Sequence, residues 1–249
     1  MQTVLHAQIY QMEPLVNYFK DIEVRHILDV GTGTGGFIPV LRKAFPEAQI
    51  TGVDPNPTSI VTARQNYADL TFLVNEAEHL DFVSDTFDVA SLSMVLHHLP
   101  KIKMGLKEIR RVVKPEGYII INEPISDGLN AAQEVHKLYH HFRSRIDRLL
   151  GNFHRKTFSK EAVLQMLKEA ELPVQFIFEQ RKNINLVENA NDIEIRSEKM
   201  KQMLEKIKDK PEYEVLKPQI EDFRGKALKY GFQPATTLVI VIRNIKQEK

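Results

Sequence analysis

One stretch near the amino terminus, residues 27–37 with the sequence ILDVGTGTGGF, most strongly limits what this chain can fold into. It begins as a short apolar run of the kind that forms a strand buried on both faces. The run breaks into a glycine-rich turn, and a segment with helical character, FIPVLRKAF, follows. A strand that leads through glycines into a helix suits a polar or anionic ligand, because glycine permits positive φ and a helix start has unpaired N–H groups.

The glycines of this turn fit two different spacings. Gly31, Gly33 and Gly36 fit the G-x-G-x-x-G pattern of dinucleotide binders. Asp29 followed by Gly31, Gly33 and Gly35 fits D-x-G-x-G-x-G instead. A glycine-rich turn without a ligand is a third interpretation, which the flanking strand and helix signals disfavour. The rest of the chain has to decide among the three.

Composition excludes several classes of protein. The chain has 249 residues, enough for one sizeable core, and its net charge of +1 gives no electrostatic footprint for nucleic acid. It contains no cysteine, so disulfides, thiolate metal sites and cysteine nucleophiles are excluded. No apolar run approaches the length of about 20 residues that spans a bilayer, and the first residues carry no signal-peptide pattern. These features predict a cytoplasmic protein without a membrane partner.

Strand and helix patterns alternate after the glycine turn. The segment Gln49–Asp54 reads as a buried strand that ends in a carboxylate. Asp54 follows the first glycine at about the 20-residue interval of an acid that receives ribose hydroxyls, although it could instead cap the next helix. Such alternation predicts right-handed crossovers and a mostly parallel sheet covered on both faces. Further strands are expected at residues 70–76, 87–94, 118–124, 174–180 and 235–244.

Five segments, in this order, resemble the core of class I S-adenosylmethionine (SAM)-dependent methyltransferases, especially their small-molecule, quinone-biosynthesis-like branch. The segments are ILDVGTGTGG, VDPNP, NEAEHLDF, FDVASLSMVLHHL and LKEIRRVVKPEGYIIINEP. The resemblance implies an α/β fold: a Rossmann-like, doubly wound, mostly parallel seven-stranded sheet with an antiparallel last strand. It also implies SAM as the cofactor. A dehydrogenase is disfavoured, because a dinucleotide binder is not expected to carry the whole series.

The resemblance assigns the cofactor to particular residues. The cofactor-binding residues it implies are Asp29, Gly31, Thr32, Gly33, Gly35, Asp54, Pro55, Glu76, Ala77, Ser93 and Met94. Asp29 would orient the amino group, and Asp54 would take the ribose hydroxyls. Glu76 stands where the family commonly has Asp, and it would accept from the adenine amino group. Ser93 and Met94 would border the methionyl group and the reacting centre.

Three further residues are candidates for catalysis. Glu123 ends the fifth predicted strand, where it could face the substrate or cap a helix. His136 and His140 lie on a long predicted helix, in a polar stripe that either faces the cofactor or forms a solvated edge. A neutral histidine there could take a proton from the methyl acceptor, helped by Glu123. Two histidines one turn apart could also hold a metal, but no third ligand is evident and no metal is expected. The His97–His98 pair is expected to be structural.

Two helical insertions interrupt the expected core, at residues 125–157 and 183–230. We expect them to form a cap within a single methyltransferase domain of residues 1–249. A segment at residues 3–20 could add a lid with Tyr10 as a contact, or simply pack on the sheet. The sequence thus predicts a methyltransferase with a small-molecule acceptor, present as a monomer or homodimer. A tRNA or protein methyltransferase and a non-catalytic SAM-binding protein are the alternatives.

Overall fold

The computed structural model describes residues 12–246, which divide into two compact units. Unit 1 contains residues 12–123, 161–180 and 237–246, and unit 2 contains residues 124–160 and 181–236. Tyr10, the contact expected from the amino-terminal segment, lies outside the described residues. Within the described part of the chain, no helix combines the length and the apolar character needed to cross a membrane.

Strands and helices alternate along this part of the chain. The strands are β1 (His26–Val30), β2 (Gln49–Asp54), β3 (Thr71–Val74), β4 (Phe87–Ser93), β5 (Val113–Pro124), β6 (Val174–Gln180) and β7 (Thr237–Arg243). The helices are α1 (Glu13–Phe19), α2 (Ile38–Ala44), α3 (Pro57–Asn66), α4 (Ile102–Val112), α5 (Ala131–Leu149), α6 (Lys160–Glu169), α7 (Ala190–Glu205), α8 (Glu212–Leu216) and α9 (Pro218–Tyr230). A single 3-10 turn, Leu96–His98, follows β4.

The seven strands form one sheet in the order β3-β2-β1-β4-β5-β7-β6. The β1–β2, β1–β4, β2–β3 and β4–β5 pairs are parallel, whereas β7 runs antiparallel to β6. The predicted fold class is therefore confirmed, including the antiparallel last strand. The strand order reverses beside β1, and in open sheets of this kind ligands bind at the carboxyl ends of the strands next to such a reversal.

The core of unit 1 follows from the apolar runs in the sequence. The first six residues of β7 are buried, as a strand covered on both faces requires. Helix α4 buries Leu106, Ile109 and Val112 on one face. On α1, the ring of Phe19 packs edge-on against Phe45 at 4.8 Å between centroids. These helices and strands form the rigid support of the strand ends described below.

Unit 2 has a separate apolar core built from α5, α7, α8 and α9. Phe223 and Phe232 are buried at its centre, with ring centroids 5.7 Å apart. Helix α5 begins with a capping box, in which the Asn130 side chain accepts from the Gln133 N–H and the Gln133 side chain accepts from the Asn130 N–H. The long helix expected here is thus present. That the insertions cap the strand ends stays a prediction.

Two boundaries differ from those expected. Strand β5 begins before the strand expected at residues 118–124. Residues 114–117 lie within β5 because the chain after β7 pairs with them, and the Glu116 N–H donates to the Asn244 carbonyl at 3.0 Å. The last part of the helical insertion expected at residues 183–230 is divided into α8 and α9. Pro218 causes the division, because it has no N–H for a continuous helix and fits the first turn of a new one.

Candidate functional site

The turn between β1 and α2 needs its glycines for two different reasons. Gly31, Gly33 and Gly35 all have positive φ, at 68°, 55° and 90°. A Cβ on Gly31 would lie 2.4 Å from Cγ2 of Val95, and one on Gly35 would lie 2.4 Å from the Tyr67 ring. A Cβ on Gly33 would have no heavy atom within 4 Å. Gly31 and Gly35 therefore permit close packing, whereas Gly33 presents its backbone to open space.

Asp54, the last residue of β2, connects this turn to the second strand. Its Oδ2 accepts from the Gly33 N–H at 2.9 Å, and its Oδ1 accepts from the Asn56 N–H at 2.9 Å. The structure does not support the alternative that Asp54 caps α3, because the Asn56 side chain holds that position and accepts from the Thr58 N–H. Each Asp54 oxygen thus has one backbone donor and keeps a lone pair for a ligand.

Asp29 is a buried carboxylate in β1, between Gly52 of β2 and Ser91 of β4. Its Oδ1 accepts from the Ser91 hydroxyl at 2.7 Å, and its Oδ2 has no hydrogen-bond partner among the described residues. Burial raises the pKa of Asp29 to about 6, against the lowering effects of the Ser91 and Thr32 hydroxyls. A buried acid with one unsatisfied oxygen is suited to a cationic partner.

The end of β4 carries the next two predicted residues. The Ser93 hydroxyl accepts from the Asn122 amide at 2.9 Å, and the Met94 N–H donates to the Asn122 carbonyl at 2.7 Å. Met94 has a φ of 63°, which is uncommon for a residue with a side chain, and its side chain is exposed. An apolar side chain held outward by a strained backbone is a frequent feature of ligand sites.

The remaining predicted cofactor residues follow the strands of the same edge. Thr32 is buried, and its N–H donates to the Val53 carbonyl at 2.9 Å. Pro55 is exposed after β2, while Glu76 is exposed and Ala77 buried in the segment after β3. Because β1, β2, β3 and β4 are parallel neighbours, these residues lie at one edge of unit 1. Their contact with a cofactor stays a prediction.

Three polar residues at this edge were not predicted from the sequence as part of the candidate site. Ser91 contacts Asp29, Asn122 bonds Ser93 and Met94, and buried Asn75 donates to Asp81 Oδ2 at 3.1 Å. Ser91 gave a usable signal, because a polar residue within an otherwise apolar buried strand needs a partner. Asn75 and Asn122 gave none, since strand ends are commonly polar.

Glu123 is fully buried and has several protein partners. Its Oε2 accepts from the Leu96 N–H at 3.2 Å, and its Oε1 accepts from the His97 N–H at 3.2 Å. Oε1 also lies 2.5 Å from Nδ1 of His97. These contacts describe the capping alternative, with the cap on the 3-10 turn after β4. A substrate-facing role for Glu123 stays a prediction.

The two candidate histidines lie on α5, in unit 2. The His136 ring packs against Phe232 with centroids 5.1 Å apart. Burial, followed by the charge of Arg196, lowers the pKa of His136 to about 4. Nε2 of His140 lies 3.1 Å from Nε2 of His154. His136 and His140 are therefore partly buried and do not form a solvated edge, whereas Arg143, one turn after His140 on the same helix, is exposed.

Comparison with known proteins identifies a family match for the core of the chain. Residues 28–121 match the family description "Methyltransferase domain". A demethylmenaquinone methyltransferase of Chlorobaculum tepidum is 32% identical over 133 residues, covering 53% of this chain and 54% of the relative. A fatty-acid O-methyltransferase of Mycolicibacterium smegmatis is 30% identical over 175 residues, covering 69% and 56%. The chain spans about half the length of these curated relatives.

A solved structure supports the fold over nearly the whole chain. The YcgJ protein from Bacillus subtilis aligns with a TM-score of 0.64 at 16% identity, covering 96% of this chain and 99% of that protein. At this identity the likeness concerns the fold alone. The family resemblance that the five motifs indicated is confirmed by the sequence matches, which cover the core of the chain.

A matched pair of substitutions separates the two uses of glycine in the turn. Gly31→Ala and Gly33→Ala both place a methyl group at positive φ, which costs roughly 1–2 kcal/mol of stability. Gly31→Ala also forces the Cβ into Val95 and should lose about 1–3 kcal/mol more. Urea denaturation measures both free energies of unfolding. Equal losses in the two variants would show that Val95 does not restrict the turn.

Asp29 should make stability depend on pH. Its pKa is raised from 3.8 to about 6, so between these values the folded protein binds a proton that the unfolded chain releases. This contribution is present below pH 4 and is lost as the pH rises through 6. Asp29→Asn removes it, so the unfolding free energy of the variant relative to wild type should rise by up to about 3 kcal/mol between pH 4 and 7. A constant difference across this range would contradict the assignment.

Glu123→Gln tests the capping role. The amide can replace only one carboxylate oxygen, and its NH₂ group would face an N–H donor. The free energy of unfolding should therefore fall by about 2–4 kcal/mol. Glu116→Gln is the control, because Glu116 forms an exposed pair with Arg243, and it should lose less than about 1 kcal/mol. Thermal and urea unfolding measure both. Unchanged stability in Glu123→Gln would reject the capping role and favour a substrate contact.

Proposed function

We propose that this chain, whose core is that of a class I SAM-dependent methyltransferase, transfers a methyl group from SAM to a small-molecule acceptor. The observation that carries the proposal is the edge of unit 1, where an open glycine turn, Asp29 and Asp54 lie at the ends of neighbouring parallel strands. SAM has a cationic methionyl end and a ribose with two adjacent hydroxyls. The residues of this edge offer a partner for each.

Asp29 fits the cationic end of the cofactor. Its Oδ2 is buried without a hydrogen-bond partner among the described residues, which is costly in the absence of a ligand. An ammonium group beside it would form a charge-assisted hydrogen bond and would favour the ionised acid. We expect SAM to bind more weakly below pH 6 for this reason, since the acid is then protonated in the free protein.

Asp54 and the glycine turn fit the ribose. The Asp54 carboxylate is partly exposed and is already oriented by the Gly33 and Asn56 N–H groups. Two vicinal hydroxyls could donate to its two oxygens without displacing these backbone donors. The absence of a side chain at Gly33 leaves room for the ligand to approach the backbone. Glu76 and Ala77 remain the proposed contacts of the adenine.

The reaction requires alignment more than acid–base chemistry. When bound, SAM would supply a methyl group on a cationic sulfur: an O, N, S or C nucleophile of the acceptor would bond to the methyl carbon in line as the carbon–sulfur bond breaks, which releases S-adenosylhomocysteine. Ser93 and Met94 are the proposed neighbours of that centre, and the exposed apolar side chain of Met94 would help to exclude water. A general base is needed only where the acceptor arrives protonated. Glu123, His136 and His140 remain the candidates for that role.

A small-molecule acceptor is the substrate class with most support. Relatives named for demethylmenaquinone and for fatty acids cover the matched region. The net charge of +1 does not favour an RNA substrate. Incubating the purified protein with SAM and a metabolite panel, and measuring S-adenosylhomocysteine, tests the proposal. SAM binding without turnover on any acceptor would favour the non-catalytic alternative, whereas salt-sensitive RNA retention would favour the tRNA alternative.

Asp54→Ala tests the cofactor site directly. The substitution leaves two ribose hydroxyls without a charged acceptor, and we expect SAM affinity to fall roughly ten- to a hundredfold, or about 1.5–3 kcal/mol. Asp69→Ala is the control, because Asp69 is an acid paired with Arg42 outside the strand ends, and it should bind SAM normally. Isothermal titration calorimetry on folded protein measures both. Unchanged affinity in Asp54→Ala would refute the proposed site.

A further inference from the structure

A chain of three polar side chains lies inside unit 2. Oδ2 of Asp147 is 2.7 Å from Nδ1 of His154, and Nε2 of His154 is 3.1 Å from Nε2 of His140. The two imidazole rings meet nearly at right angles, with an interplanar angle of 83° and centroids 4.8 Å apart. The His154 side chain is buried, whereas His140 and Asp147 are partly exposed.

The carboxylate determines which nitrogen of His154 carries the proton. An ionised Asp147 only accepts hydrogen bonds, so Nδ1 of His154 donates to it. In the neutral imidazole, Nε2 then carries a lone pair and points toward Nε2 of His140. A histidine whose far nitrogen donates to a carboxylate is the usual arrangement of a metal-binding histidine.

The end of α5 brings these residues together. His140 and Asp147 are two helical turns apart and lie on one face of α5. After the helix, the Asn152 N–H donates back to the Asp147 carbonyl at 2.9 Å, and Gly151 adopts a φ of 86°. Glycine takes this left-handed conformation without strain, so the chain reverses tightly and returns His154 to the helix. The backbone conformation at the end of α5 therefore fixes the position of His154 next to His140.

We propose that His140 and His154 bind a first-row divalent transition metal ion through their Nε2 atoms, with Asp147 orienting His154. Two nitrogens at about 2.0–2.1 Å from one ion and 3.1 Å apart subtend an angle of roughly 100°, close to tetrahedral. Imidazole nitrogens suit zinc, cobalt, nickel, copper and iron. Two imidazoles leave coordination positions for further groups, such as water or an anionic ligand.

This pair differs from the one that the sequence suggested. His136 and His140 are one turn apart, but His136 packs against Phe232 instead. The partner of His140 is His154, which follows fourteen positions later, beyond the end of the helix. The competing explanation of the 3.1 Å separation is an N–H···N hydrogen bond in which the two rings share a proton. The two explanations predict different responses to added metal.

Metal titration of the full chain distinguishes them. After dialysis against a chelator, Zn²⁺ and Co²⁺ are titrated in competition with a chromophoric indicator. We expect one ion per chain, loss of at least a hundredfold in affinity in His140→Gln and His154→Gln, and a ten- to a hundredfold loss in Asp147→Asn. His141→Gln is the matched control, because His141 neighbours His140 but bonds Thr157, and its affinity should be unchanged. No binding by wild type, or equal binding by the double variant, would overturn the proposal.

A second measurement on wild-type protein covers the case that a variant fails to fold. In ¹⁵N-histidine NMR spectra, Zn²⁺ should shift the Nε2 signals of His140 and His154 while leaving those of His141 in place. Zn²⁺ should also raise the melting temperature of wild type and of His141→Gln, because the ion binds only the folded state. Nε2 signals of His140 and His154 that stay unchanged at saturating Zn²⁺ would reject the metal site.

Discussion

The hydrogen bond between the Gly33 N–H and Oδ2 of Asp54 is the contact on which the cofactor edge of unit 1 depends. It joins the turn after β1 to the end of β2, two strands that already pair in parallel. The acid is oriented before any ligand arrives, because its other oxygen accepts from Asn56. Preorganisation of this kind reduces the ordering that a ligand has to impose on the protein when it binds. The order of the strands places the glycine turn, Asp54 and Asp29 at the same edge of the sheet, because β1 and β2 are parallel neighbours.

Two buried carboxylates show how the same chemical group serves different ends. Glu123 accepts from two backbone N–H groups and lies against a His97 nitrogen, so its desolvation is offset within the protein. Asp29 has one strong partner, the Ser91 hydroxyl, and its second oxygen is unsatisfied among the described residues. The first arrangement stabilises a turn. In the second, the desolvation cost of the unsatisfied oxygen is not offset within the protein, and a cationic ligand would offset it on binding. This is the physical reason to connect Asp29, and not Glu123, with the cofactor.

Local patterns in the sequence predicted the fold because its main constraints are local. Buried strands, glycines at positive φ and the acid that ends β2 can each be recognised from a pattern of a few residues in the sequence. The resemblance and the crossover rules predicted a mostly parallel seven-stranded sheet with an antiparallel last strand, and this fold class is confirmed. Contacts made by the returning chain left no such pattern: Asn244 draws residues 114–117 into β5, and His154 reaches His140 only through the turn at Gly151. A helical periodicity shows which side chains share a face, but not what packs against that face.

The lowered pKa of His136 limits its use as a general base. A base acts best when its pKa lies near the working pH, and burial lowers the pKa of His136 to about 4. It is neutral at pH 7 but holds a proton weakly, so it is a poor acceptor for a proton from a hydroxyl or a thiol. A neutral imidazole with an exposed lone pair is, in contrast, what a metal ion requires.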